Sequence, residues 1–174
     1  MASTNHRDKG MAGNVGVLAN SIYKDKKIIL WAHNFHISRN AADTLEYEGI
    51  VNMGRWLSEK FQSQLYVLGL FMYQGTAAWN NRSVYTLTDP LPNSTEAILS
   101  ESLQEYCFVD MLGQENTAGT SWMFQAIPYK EWGWGNYVMT PRNQYDGLLF
   151  IRNVNPPTYL PRGAARLCAA QSGH

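Results

Sequence analysis

The chain has 174 residues, enough for one domain with its own core and too few for two comfortable ones. Charged residues make up 16% of it against 45% hydrophobic and 13% aromatic, a balance that excludes a disordered chain. Lys plus Arg and Asp plus Glu both total 14, so the basic excess of a dedicated nucleic-acid binder is missing, and no apolar run approaches the roughly 20 residues of a membrane span.

Met1 to Gly10 is a polar leader without the apolar region of a signal peptide, which points to a cytoplasmic protein. Met11, Val15, Leu18 and Ile22 recur at helical spacing and predict an amphipathic helix over about 8–23, with Lys24, Lys26 and Lys27 favourably placed at its C-terminus. The continuous apolar run Ile28 to Ala32 predicts a strand buried on both faces, as in a parallel sheet. It stops at His33-Asn34-Phe35-His36, and a polar loop follows. Ile50, Met53, Leu57 and Phe61 predict a second helix over about 47–62. Leu65 to Tyr73 predicts a second buried strand, ended by Gln74-Gly75-Thr76. Strand, helix and strand in this order form a βαβ unit with a right-handed crossover.

Asn93 and Glu96 resemble a capping box that opens a third helix to about Tyr106. A short strand follows over 107–112. The segment 122–137 holds six aromatic residues and one lysine. It is open to three readings: an irregular loop packed on the domain, a wall of an apolar pocket, or a surface covered by another chain or by missing sequence. The turn-like 143–147 precedes a strand over 148–152, which Pro156-Pro157 stops. From 162 onward the chain is a tail rich in Ala, Gly and Ser, expected to be frayed, which leaves 1–161 as the folded part.

In an open α/β sheet, ligands bind outside the carboxyl ends of the strands. His33, Asn34 and His36 follow the first predicted strand, and Gln74, Gly75 and Thr76 follow the second, so polar groups converge on one sheet edge. Histidine suits proton transfer near neutral pH. A histidine beside a strand can equally be a hydrogen-bonded structural residue, and the residues leave that choice open. The spacing is not that of a metalloprotease helix, and no third ligand is evident. There is no Gly-x-Ser-x-Gly elbow and no phosphate loop. Cys107 lies in an apolar context and reads as core. Cys107 and Cys168 lack zinc-site spacing.

Several segments in order resemble the erythromycin esterase family. Arg7-Asp8-Lys9 with Met11-Ala12 and Asn14 is similar to a helix signature of that family. Ile28 to Ile37, with the histidine loop, resembles its strand and loop most closely. Met53-Gly54 with Leu57, Leu68-Gly69 with Phe71 and Gly75-Thr76, and Tyr145-Asp146-Gly147 before Leu148 to Ile151 continue the match over about 7–155.

The resemblance implies a three-layer α/β/α fold with a mostly parallel sheet. It implies hydrolysis of an ester, typified by opening of the lactone ring of macrolide antibiotics, with a histidine as general base on water and with neither metal nor cofactor. His33 and His36 inherit the catalytic histidine-loop roles, His33 first. Arg7, Asn14, Asn34 and Gly75 become candidates for substrate binding. The family's N-terminal half also carries a Gly-Glu-x-x-His-Gly type motif, and this sequence has none. The expectation is therefore the C-terminal half of such an enzyme, a hydrolase fragment whose site is completed by a missing N-terminal half or by a second copy in a homodimer. The alternative is a non-catalytic ligand-binding or protein-interaction domain that keeps the fold.

Overall fold

The computed structural model describes residues 1–44 and 47–159. The residues of the polar leader form the start of α1 (Ala2–Val17), which runs on into a π-helical turn at Leu18–Ile22. Asn5 fastens this early turn: its amide donates to Gly49 O at 3.0 Å and its Oδ1 accepts from Val51 N at 2.9 Å. The buried stripe of α1 is Asp8, Ala12 and Gly16, spaced four apart, with Met11 and Val15 at its margin. Ile22, expected inside, is exposed. Small residues on that stripe let α1 lie close to α3 (Met53–Phe61). A Cβ at Gly16 would stand 2.2 Å from Lys60 Nζ.

The first predicted strand does not form. Residues 28–32 pair with no other strand, and Ile29 and Trp31 are 92% and 88% exposed. An apolar run gives a buried strand only when neighbours supply ladder hydrogen bonds, and no described strand lies beside this one. The βαβ unit is absent for the same reason. The run leads into α2 (Asn34–Ile37), a single turn. Helix α3 is shorter than expected and begins at Met53, after the buried N-cap Asn52. The Asn52 amide donates to Phe35 O and Ser38 O, both at 2.7 Å, and so fixes the histidine turn against α3. Gly54 permits the contact, because a Cβ there would come within 2.2 Å of Ile37 O. Gly54→Ala is expected to cost about 2 kcal/mol of stability, read from the denaturant midpoint, because rigid backbone must move. A neutral result would show that the α2–α3 contact is looser than this packing requires.

The remaining elements, in chain order, are β1 (Leu68–Ala78), β2 (Val84–Thr86), α4 (Thr95–Ser100), β3 (Tyr106–Asp110), β4 (Ile127–Glu131), β5 (Gly135–Met139), α5 (Pro141–Gln144) and β6 (Gly147–Val154). The main sheet has the order β2-β1-β6-β3. Only β1 and β6 are parallel. The β1–β2 and β3–β6 pairs are antiparallel, so the expectation of a mostly parallel sheet is corrected to a mixed, mainly antiparallel one. A short connection joins β1 and β2, whereas β3 returns to β6 only after the segment that holds β4, β5 and α5.

β1 does not end at Gln74-Gly75-Thr76. Gly75 adopts φ 113°, and a Cβ on it would approach Val154 O to 2.2 Å. This local geometry lets the strand continue from β6 to β2. α4 is capped by Ser94, whose Oγ accepts from Ala97 N at 3.2 Å, rather than by Asn93, which sits at φ 60°. The helix stops at Ser100, well before Tyr106.

The segment 122–137 is not an irregular loop. A short turn at Ser121–Phe124 leads into the antiparallel hairpin of β4 and β5, with Trp132 and Gly133 both at positive φ in its turn. The core gathers Phe71, Leu99, Tyr129, Met139, Tyr145, Leu148 and Phe150 between one sheet face, α4 and this hairpin. Tyr106 and Phe108, from alternate positions of β3, are exposed on the opposite face. The expected tail from 162 lies outside the described residues.

Candidate active site

The histidine turn is built by its own caps. His33 is the N-cap of α2, and its Nδ1 accepts from Phe35 N at 3.3 Å. The Asn34 side chain behaves as a piece of strand: its amide donates to Leu70 O at 2.7 Å and its Oδ1 accepts from Leu70 N at 3.0 Å. It thus occupies the free edge of β1 and pins the turn to the sheet. Both polar atoms of the Asn34 side chain are engaged there.

His36 is the centre of a second group. Its Nδ1 lies 2.9 Å from Asp8 Oδ2, and its Nε2 lies 2.8 Å from an Arg7 guanidinium nitrogen. An arginine can only donate. The geometry therefore assigns the lone pair to Nε2 and the proton to Nδ1, where the buried Asp8 accepts it. Asp8 Oδ2 also accepts from Met53 N at 2.9 Å, at the first turn of α3. One carboxylate thereby joins α1, α2 and α3. Arg7 is 62% exposed at its side chain and projects from this group.

His33 is held differently. Its ring stacks on Trp132, with centroids 3.9 Å apart and planes inclined by 20°. Nδ1 lies 3.4 Å from Glu131 Oε1. No described residue hydrogen-bonds Nε2. Burial, with a smaller contribution from nearby His36, lowers the His33 pKa from 6.5 to about 4, so the ring is neutral at neutral pH. Glu131 is almost fully buried, and burial raises its carboxyl to about 7, against a lowering hydrogen bond from Tyr129 and with a smaller raising effect of Glu96. Burial likewise raises Glu96, which accepts from Lys130 N at 2.9 Å, to about 7.

Of the residues singled out in the sequence, the fold brings Arg7, His33 and His36 together and places Asn34 beneath them. Asn14 is exposed on α1 and makes no side-chain hydrogen bond among the described residues. Gly75 is a sheet residue paired with Val154 and carries no ligand-facing group. Sequence reasoning missed Asp8, Glu131 and Trp132 as parts of the site. Asp8 lay inside the recognised helix signature. The other two lay in the aromatic segment. A wider cleft of about 440 Å³ opens among Arg39, Asp43, Arg55 and Glu59, but neither histidine lines it. A small space of about 10 Å³, room for roughly one water, adjoins Glu131 among Tyr47, Tyr129, Gln144 and Tyr145.

The family model described as erythromycin esterase matches residues 1–154. The chain belongs to the erythromycin esterase family. Among its relatives, YbfO of Bacillus subtilis (strain 168), named as a candidate hydrolase, is 34% identical over 157 residues, covering 86% of this chain and 35% of that protein. The chain therefore spans about a third of the length of the curated relative it matches. A crystal structure of a Bacillus cereus protein superposes with a TM-score of 0.74 at 18% identity, over 91% of this chain and 40% of that one. The structure of a succinoglycan biosynthesis protein superposes with a TM-score of 0.76 at 16% identity over the same shares. Both share the fold. Family membership and the named relative make this chain part of a hydrolase-like family. No helix among the described residues is long and apolar enough to cross a membrane.

Proposed function

We propose that this chain carries the histidine part of a hydrolase site, which opens an ester such as a macrolide lactone by His33-assisted attack of water, without a metal. The observation that carries the reading is one short turn bearing a neutral imidazole with a free Nε2 and a second imidazole that holds a guanidinium. In this reading His33 Nε2 takes a proton from water as the oxygen attacks the carbonyl carbon. Arg7 stabilises the oxyanion that develops, and the departing alkoxide recovers the proton. His36 acts through Arg7, because its own Nε2 is occupied. The substrate is a small-molecule ester, and the remainder of the site comes from an N-terminal half or a second copy.

A non-catalytic ligand-binding or interaction domain is the second reading. It is favoured by the exposed Ile29, Trp31 and Phe108, which suit contact with another chain.

Incubation of the chain with a macrolide, alone and with the N-terminal part of a family member, separates the two. The expected product is heavier by one water, and His33→Ala is expected to slow its formation at least about 100-fold. No product in either mixture would overturn the hydrolase reading. Ligand or partner binding indifferent to His33→Ala would favour the second.

A further inference from the structure

We infer that Glu131 is the positioning residue of His33: its carboxylate selects the tautomer in which Nδ1 carries the proton and Nε2 presents its lone pair. The inference deepens the proposed function and rests on His33 as the base of that site. It stands on two contacts made by the hairpin of β4 and β5 and on one unsatisfied buried atom. Glu131 Oε1 lies 3.4 Å from His33 Nδ1, Trp132 stacks on the same ring, and Oε1 is buried with no hydrogen-bond partner among the described residues. A buried acceptor with no donor is costly, and Nδ1–H is the polar hydrogen beside it.

Two partners compete for that nitrogen. Phe35 N, at 3.3 Å, needs a lone pair on Nδ1, whereas an ionised Glu131 needs a proton there. If Phe35 wins, the ring proton sits on Nε2 and His33 cannot accept from water. If ionised Glu131 wins, Nε2 is free to act as a base, and the carboxylate stabilises the imidazolium that forms. The pair is thus a tautomer switch governed by the ionisation of Glu131. The charged and titratable groups around it are His36 beside His33 on α2, Glu96 from α4, Lys130 and Tyr129 on β4, and Tyr145 after α5.

With the Glu131 carboxyl raised to about 7, the Nδ1–H form is expected to gain population as pH rises from about 6 to 8. Nitrogen NMR of the full chain labelled with 15N-histidine reads this directly, the His33 signals being those absent from H33N. The expected wild-type result is a change from the Nε2–H to the Nδ1–H tautomer with a midpoint near pH 7. In E131Q the neutral amide does not ionise, so the midpoint should vanish and one tautomer should persist across the range. In E131A the Nε2–H form should persist. Identical His33 tautomers and pH dependence in wild type and E131Q would overturn the inference. Should E131A fail to fold, E131Q, which keeps size and polarity, still decides. The readout needs no turnover, so this outcome is independent of whether any ester is opened. If hydrolysis occurs, its rate should follow the same midpoint in wild type and lose it in E131Q.

Discussion

Asp146→Ala is expected to destabilise the fold by about 4 kcal/mol, the cost of leaving a buried ionic network without its acceptor. Asp146 is almost fully buried just before β6. Its Oδ2 accepts from Val67 N at 2.8 Å, where the chain enters β1, and from the Arg39 guanidinium. Arg142 stands 3.6 Å from Oδ1. Arg39 in turn donates to Leu65 O at 3.1 Å and Ser58 Oγ at 3.2 Å. A single carboxylate therefore joins the parallel β1–β6 pair to α3 and to the residue that follows the histidine turn. Alanine leaves the Val67 backbone N–H buried without its acceptor and the part-exposed Arg39 guanidinium without its carboxylate. Asp146→Asn, which keeps one acceptor and loses the charge, should cost less. Urea denaturation followed by circular dichroism measures both. A loss below about 1 kcal/mol for Asp146→Ala would show that water replaces the carboxylate and that the junction does not depend on it.

Asp8→Ala is expected to cost about 3 kcal/mol and to loosen the site as well as the fold. Asp8 has no exposed surface, and its Oδ2 serves both His36 Nδ1 and Met53 N. Removing it strands a helix N-terminal donor and frees His36 to take the other tautomer. An Nε2–H on His36 would face the Arg7 donor, so the guanidinium would be expelled from the turn. The expected results are a lowered denaturant midpoint and a His36 nitrogen spectrum that changes tautomer, with His33 largely unaffected. Asp8→Asn should restore much of the stability by accepting from Met53 N. Retention of the wild-type His36 tautomer in a folded Asp8→Ala chain would contradict the assignment of its proton to Nδ1.

Both substitutions lie in stretches that were legible as motifs but not as interactions. Arg7-Asp8 and Tyr145-Asp146-Gly147 were legible as family signatures. That Asp8 caps α3 and Asp146 caps the entry to β1 follows from partners 45 and 79 residues away. Such separations leave no trace in local periodicity. Helical spacing gave α1 and α3 their existence, but misjudged the face of α1. Contact with Met53, Leu57 and Lys60 selects the small residues Ala12 and Gly16, not the larger Ile22, for the interior.

The sequence by itself determined the family, the histidine turn as its centre, and the apolar strands β1 and β6, because each is written in contiguous residues. Tertiary structure decided the rest. It left Ile28 to Ala32 outside the sheet, because a strand exists only through its neighbours, and it let the Asn34 amide occupy that edge of β1 instead. It also gave two histidines three residues apart different surroundings. Asp8 and Arg7 engage both nitrogens of His36, while the hairpin brings Glu131 and Trp132 to His33 and leaves Nε2 open. A proton's position on an imidazole depends on what faces each nitrogen, and those partners come from elements far apart in the chain.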